Sequence, residues 1–191
     1  MRPLSYLPQP VGITTIGNTS YLFEANNYNL PIYFALKGRH DYDLVNSGDF
    51  ISQISNVVET LIEQYDMIMI PESRYNVLKR VISRFPNVIE LSKRSKLEIC
   101  NRVLQTPSWR KIDVQSATKA WNDMGDTFTI NTIKANKRKD YVPHLFEPYE
   151  VPPDSKVLLL DDFIMSGNTI DAMAAAIGRT NYHALGLFYQ K

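Results

Sequence analysis

The stretch Lys156–Thr169, KVLLLDDFIMSGNT, constrains the fold more than any other part of this 191-residue chain. Four apolar residues, Val157 to Leu160, run without alternation into two adjacent carboxylates, Asp161 and Asp162. An unbroken apolar run of this kind suits the middle of a parallel sheet covered on both faces. A short loop with Ser166, Gly167, Asn168 and Thr169 follows, and then the alanine-rich helical pattern IDAMAAAIG. In an open α/β sheet, ligands bind at the carboxyl ends of strands, which is where this order of elements puts the two acids.

The residue types suit a sugar phosphate held by both ends. Paired carboxylates accept hydrogen bonds from vicinal hydroxyls, or sit near a bound divalent cation. The loop Met165–Thr169 offers successive backbone N–H groups, two hydroxyls and a glycine that lets a ligand approach closely. The helix that starts near Asn168 adds the partial positive charge of its N-terminus, which favours phosphate. The plainer local reading is a solvated turn in which Ser166 or Thr169 caps the helix.

Elsewhere the pattern alternates between helix and strand. The first 45 or so residues are rich in Tyr, Asn, Pro and Gly, with two strand-like runs, SYLFEA and LPIYFAL. SGDFISQISNVVETLIEQY has apolar residues at helical spacing, DMIMIP reads as a buried strand, and an amphipathic helix is expected from about Ser73 to Arg84. NVIEL, FTINTI and YHALGLFYQ are further strand candidates, and LEICNRVLQ is a helix. This rhythm predicts an α/β fold with a mostly parallel sheet and helices on both faces, formed by a single domain over residues 1–191. Residues 97–132 are the least readable.

Two strand ends besides Asp161–Asp162 carry polar groups. DMIMI is followed by Ser73 and Arg74; NVIEL is followed by a basic turn with Lys93 and Arg94. A third basic run, KANKRK, contains Lys137, Arg138 and Lys139. Such cations suit a polyanionic ligand, and equally a charged, solvated surface. Ser73 is equally a helix cap.

Formal net charge is +1, so there is no global electrostatic footprint for nucleic acid. The single cysteine, Cys100, has no internal partner and reads as a buried thiol. His40, His144 and His183 are scattered and form no recognisable triad. The glycine-rich spacings of P-loop and dinucleotide-binding proteins are absent. No apolar run approaches the roughly 20 residues needed to span a bilayer, and the N-terminus lacks a secretory pattern. The expectation is a cytoplasmic protein with no membrane or nucleic-acid partner.

The run VLLLDDFIMSGNT resembles the phosphoribosyl-diphosphate (PRPP) signature of the type I phosphoribosyltransferases: four apolar residues, an acid, an aspartate, then a loop ending in hydroxyl, Gly, any residue, Thr. Whole-chain order is most similar to competence-protein F-type (ComF-like) phosphoribosyltransferases, through ALKGRHDY, the proline-ended strand IMIP, the turn LSKRSK and KRKDYVPHLF. Phe163 stands where a smaller aliphatic is usual, and Met165 where a small or hydroxylated residue is usual.

The resemblance implies a three-layer fold with a small hood and a flexible lid loop. It implies that Asp161 and Asp162 hold the ribose hydroxyls and that Met165, Ser166, Gly167, Asn168 and Thr169 wrap the 5′-phosphate. Ser73, Arg74, Lys93 and Arg94 would meet the pyrophosphate, and Lys137, Arg138 and Lys139 would reach it from the lid. The N-terminal 45 residues are the hood candidate, whose aromatics would stack on a base or form ordinary strand core. Residues 97–132 would be an insertion. The implied activity is Mg²⁺-dependent transfer of ribose 5-phosphate from PRPP to a nitrogen nucleophile, in nucleotide metabolism, by an enzyme whose relatives are commonly homodimers. The alternative is a non-catalytic sensor of PRPP or a nucleotide.

Overall fold

The apolar run Val157–Leu160 opens strand β5 (Val157–Ile164), which carries both acids within it rather than beyond its end. All four apolar residues are at most 5% exposed. The computed structural model describes residues 14–16, 19–25, 29–38, 47–107, 109–123, 130, 133–179 and 182–190. Around β5 lie β3 (Met67–Pro71) on one side and β6 (His183–Tyr189) on the other, both parallel to it. The sheet is completed by β4 (Val88–Leu91) beside β3 and β2 (Thr19–Glu24) beside β6, again parallel. A short antiparallel edge strand, β1 (Thr14–Ile16), pairs with β2. The order across the sheet is β1-β2-β6-β5-β3-β4.

Alternation along the central strands sorts the apolar side chains into two cores. Ile68, Ile70, Leu158, Leu160, Leu185 and Leu187 face one side, while Met69, Val157, Leu159 and Ala184 face the other. The first side is covered by α1 (Asn29–Leu36), α2 (Ser47–Ile62) and α3 (Val77–Val81). The second is covered by α4 (Lys96–Leu104), α5 (Lys111–Asp123), α6 (Arg138–Tyr141) and α7 (Asn168–Ala176). The result is a helix–sheet–helix sandwich of the α/β class.

Several segments differ from their sequence reading. LPIYFAL is helix α1, not a strand: Pro31 sits in its first turn, where a missing N–H costs nothing, and Ile32, Tyr33 and Leu36 are buried at helical spacing. The helix expected from about Ser73 begins only at Val77, after Asn76, and ends by Val81. The basic turn after β4 runs into α4 through a capping box, in which Ser95 and Glu98 exchange hydrogen bonds with each other's backbone N–H. FTINTI lies mostly outside the described residues, and its two described members form a turn, with the Ile133 N–H donating to the Ile130 carbonyl at 3.1 Å. SYLFEA, read as part of a hood, contributes β2 to the central sheet, where Tyr21 stacks on Tyr189 and Phe23 on Phe188. Cys100 is buried at 5% exposure, and burial pushes its thiol up to about 11.

Candidate functional site

From β3 the chain passes to β4 at the sheet edge, whereas β5 and β6 lie on the opposite side of β3. The carboxyl ends of β3 and β5 therefore flank the point where strand order reverses, the usual ligand crevice of an open α/β sheet. A cleft of about 330 Å³ opens there. That volume is at the small end of ligand pockets, roughly 300–1,000 Å³. Its lining includes Pro71–Ser73 at the exit of β3, Lys93 after β4, and every residue from Asp161 to Thr169.

Asp161 is 6% exposed, and its Oδ1 accepts the backbone N–H of Asp162 at 2.9 Å. Burial first, and the adjacent Asp162 charge second, push its carboxyl up to about 7; that N–H and the lysines Lys37 and Lys93 oppose the rise. Asp162 lies on the α1 side, where its Oδ2 meets the Lys37 ammonium at 2.9 Å. Lys37 follows α1 directly and lies 4.7 Å from the centre of the Tyr33 ring and 5.1 Å from that of Tyr75. Sequence reasoning missed Lys37, because a single lysine after an apolar helix carries no spacing signal toward Asp162. The run ALKGRHDY was its only trace.

Between β5 and α7 the loop is three residues long, Met165 to Gly167. Gly167 precedes α7 with φ of 74°, a left-handed conformation that glycine adopts without a Cβ clash. It makes no side-chain cap, so the first N–H groups of α7 keep the orphan status of any helix start. The expected caps are used differently: Ser166 Oγ accepts Asn168 Nδ2–H at 2.7 Å, and no side-chain cap forms. Met165 is 57% exposed and brings no side-chain donor, so the polar groups of this loop are its backbone N–H groups and the neighbouring hydroxyls.

The strand-end cations separate. Lys93 lines the cleft, and its own N–H is held by Glu72 Oε2 at 2.8 Å, which ties the β3 and β4 exits together. Arg94, read beside it as a pyrophosphate contact, is 9% exposed and points away from the cleft lining. Its Nε donates to Glu147 at 3.1 Å and its guanidinium to the His144 carbonyl at 3.2 Å. An antiparallel bridge between Lys93 and Phe146 fixes this arrangement, so consecutive residues emerge on opposite sides.

Ser73 lines the cleft and caps no helix; its Oγ accepts the Tyr75 N–H at 3.2 Å in a local turn. Arg74 is exposed and outside the lining. Nor do Lys137, Arg138 and Lys139 of KANKRK, or Lys134 at its start, line the cleft. That run is a helical turn, with Lys137 near Asp113 (3.9 Å) and over the Trp109 ring (5.3 Å), and Arg138 Nε donating to the Ile133 carbonyl. Neither His144 nor His183 is in the lining; His183 Nδ1 is bonded to the Tyr65 hydroxyl, and His40 lies outside the described residues.

No family model matches this chain. No curated protein matches it either. Among the described residues no helix is long and apolar enough to cross a membrane. Nor do the described residues assemble three or more His, Cys, Asp or Glu side chains around one point. The cleft is therefore lined by three carboxylates (Glu72, Asp161 and Asp162), two lysines (Lys37 and Lys93) and the loop Met165–Thr169, all at one sheet crevice.

Proposed function

We propose that the protein is a phosphoribosyltransferase, moving the ribose 5-phosphate of PRPP to a nitrogen nucleophile. The observation that carries this reading is the meeting of the Asp161–Asp162 pair and the Met165–Thr169 loop in one cleft at the strand-order reversal. The loop and the α7 N-terminus suit a 5′-phosphate, and the carboxylates suit the 2′- and 3′-hydroxyls. Lys93 and Ser73, across the cleft after β4 and β3, suit the pyrophosphate.

The expected metal is Mg²⁺. Hard carboxylate oxygens at Asp161 and Asp162 fit a cation that is held chiefly by oxygens of PRPP itself, since these two acids alone do not make a closed metal cage. Bound so, Mg²⁺ supplies charge neutralisation for the leaving pyrophosphate.

The chain's own part is positioning and electrostatics. The phosphate loop anchors one end of the sugar phosphate and Lys93 the other, so the anomeric carbon is held between fixed points. As its bond to pyrophosphate loosens, positive charge grows on the ribose ring beside two carboxylates, which stabilise it. The nucleophile then adds to the opposite face. No nucleophilic side chain is required.

Incubation with PRPP, Mg²⁺ and a panel of purine, pyrimidine and small amine acceptors tests the reading. Pyrophosphate release is expected with one acceptor class, and Asp162→Asn is expected to lower it at least about a hundredfold, in line with the loss of charge-assisted hydrogen bonds at a transition state. Full turnover in that variant would count against the site. PRPP binding with no release under any acceptor would assign the protein as a sensor.

A further inference from the structure

Lys37 belongs to no part of the signature, yet its ammonium is ion-paired to one of the two acids in it. Its Nζ lies 2.9 Å from Asp162 Oδ2, with the two side chains 18% and 13% exposed. Two tyrosine rings flank the ammonium, Tyr33 at 4.7 Å and Tyr75 at 5.1 Å, each favourable through its π face. Position adds a third constraint, because Lys37 follows the C-terminal end of α1, where partial negative charge favours a cation. Gly38, at φ of 66°, turns the chain directly after it, with its N–H on the Ala35 carbonyl. An exposed lysine would be free to wander; this one is held by a carboxylate, two rings and a helix end.

We propose that Lys37 is a positioning residue that acts through Asp162, orienting its carboxylate and offsetting its charge so that a phosphorylated ribose can be held beside two acids. The inference rests on the PRPP reading above and names a residue that the signature does not contain. Lys37 engages Oδ2, which leaves Oδ1 for a ribose hydroxyl. Charge balance makes the same demand. The cleft is lined by three acids, Glu72, Asp161 and Asp162, against two cations, Lys37 and Lys93. A polyanion entering that lining with Lys37 removed meets three carboxylates and one ammonium. Lys93 reaches the cleft from the exit of β4 and Lys37 from the end of α1, and the ion pair to Asp162 is made by Lys37.

Calorimetric titration of PRPP with Mg²⁺ into the wild type, Lys37→Met, Lys37→Arg, Asp162→Asn and the Lys37→Met/Asp162→Asn double variant tests this. Thermal unfolding of each protein confirms that it is folded. Lys37→Met is expected to weaken PRPP by about ten- to a hundredfold, the usual range for losing a charge-assisted hydrogen bond, while Lys37→Arg restores most of the affinity. In the Asp162→Asn background the further loss of Lys37 is expected to cost no more than about twofold, because residues acting as one unit are not additive. Wild-type affinity in Lys37→Met, or losses that add in the double variant, would overturn the role of Lys37 while leaving the PRPP reading intact. Absence of PRPP binding by the wild type would overturn both.

Discussion

At the scale of single residues the site is a balance between burial and charge. Asp161 keeps its proton to about pH 7 in the folded chain, whereas the same side chain ordinarily loses it near 3.8. Between those values the folded state binds a proton that the unfolded state has released, so stability falls as pH rises through that window. Asp161→Asn removes the penalty. It is expected to stabilise the protein at pH 8, on the order of 2–4 kcal/mol by the free energy of a pKa shift, and to change it little at pH 4. Denaturant titrations at the two pH values measure this; equal stability of both proteins at pH 8 would show that Asp161 is not held in a desolvated place. The same substitution should abolish PRPP binding, the usual opposition between stability and function at a site. Adjacent residues also set the limit of sequence reading here. Lys93 and Arg94 look alike in the chain, and only the bridge to Phe146 decides that one meets the cleft and the other Glu147.

At the scale of elements, glycine matters at two places beside the cleft, for opposite reasons. Gly167 has open space around a notional Cβ, so Gly167→Ala meets only the left-handed backbone penalty, roughly 1–2 kcal/mol. If the cleft takes PRPP as proposed, a modest fall in Tm with a much larger loss of PRPP affinity is expected, since the strain falls on the N–H groups of the Met165–Gly167 loop. Unchanged affinity would place the phosphate elsewhere.

Gly186 is the opposite case. It lies opposite Asp161 in the β5–β6 pairing, and a Cβ would come 2.6 Å from Ile164 Cδ1. Gly186→Ala must displace Ile164, which lines the cleft, and is expected to cost roughly 1–3 kcal/mol by overpacking. Chemical denaturation checks the magnitude.

Elements with a clear period were legible in the chain: β5, β3, α2, α7 and β6 stand where their apolar patterns put them. Helix α1 was not, because LPIYFAL is apolar on all sides and shows neither a period of two nor one of 3.6. Helix α5 was missed for the converse reason. Trp121 is its only residue that is buried, so the segment carries no apolar stripe to read.

For the whole molecule, the crevice follows from topology more than from any one contact. Because β5 lies between β3 and β6, its acids emerge where the strand order reverses, and the exits of β3 and β4 close the other wall. The N-terminal segment adds β2 to the sheet beyond β6 and lays α1 over the Asp162 side, which brings Lys37 and Tyr33 to the cleft. Such long-range placement is invisible to spacing rules. The run Asp161–Thr169 forms one wall, and residues far from it in the chain form the other.

The central claim is that this cleft takes PRPP. Thermal unfolding with Mg²⁺ and PRPP, set against ribose 5-phosphate and pyrophosphate, measures it most directly, because a ligand at a hundred times its Kd stabilises the folded state by about 2.7 kcal/mol. A rise in Tm of several degrees with PRPP, smaller with either fragment and lost in Asp161→Asn/Asp162→Asn, is the expected result. An unchanged Tm with all three ligands, or a rise that survives in the double variant, would contradict it.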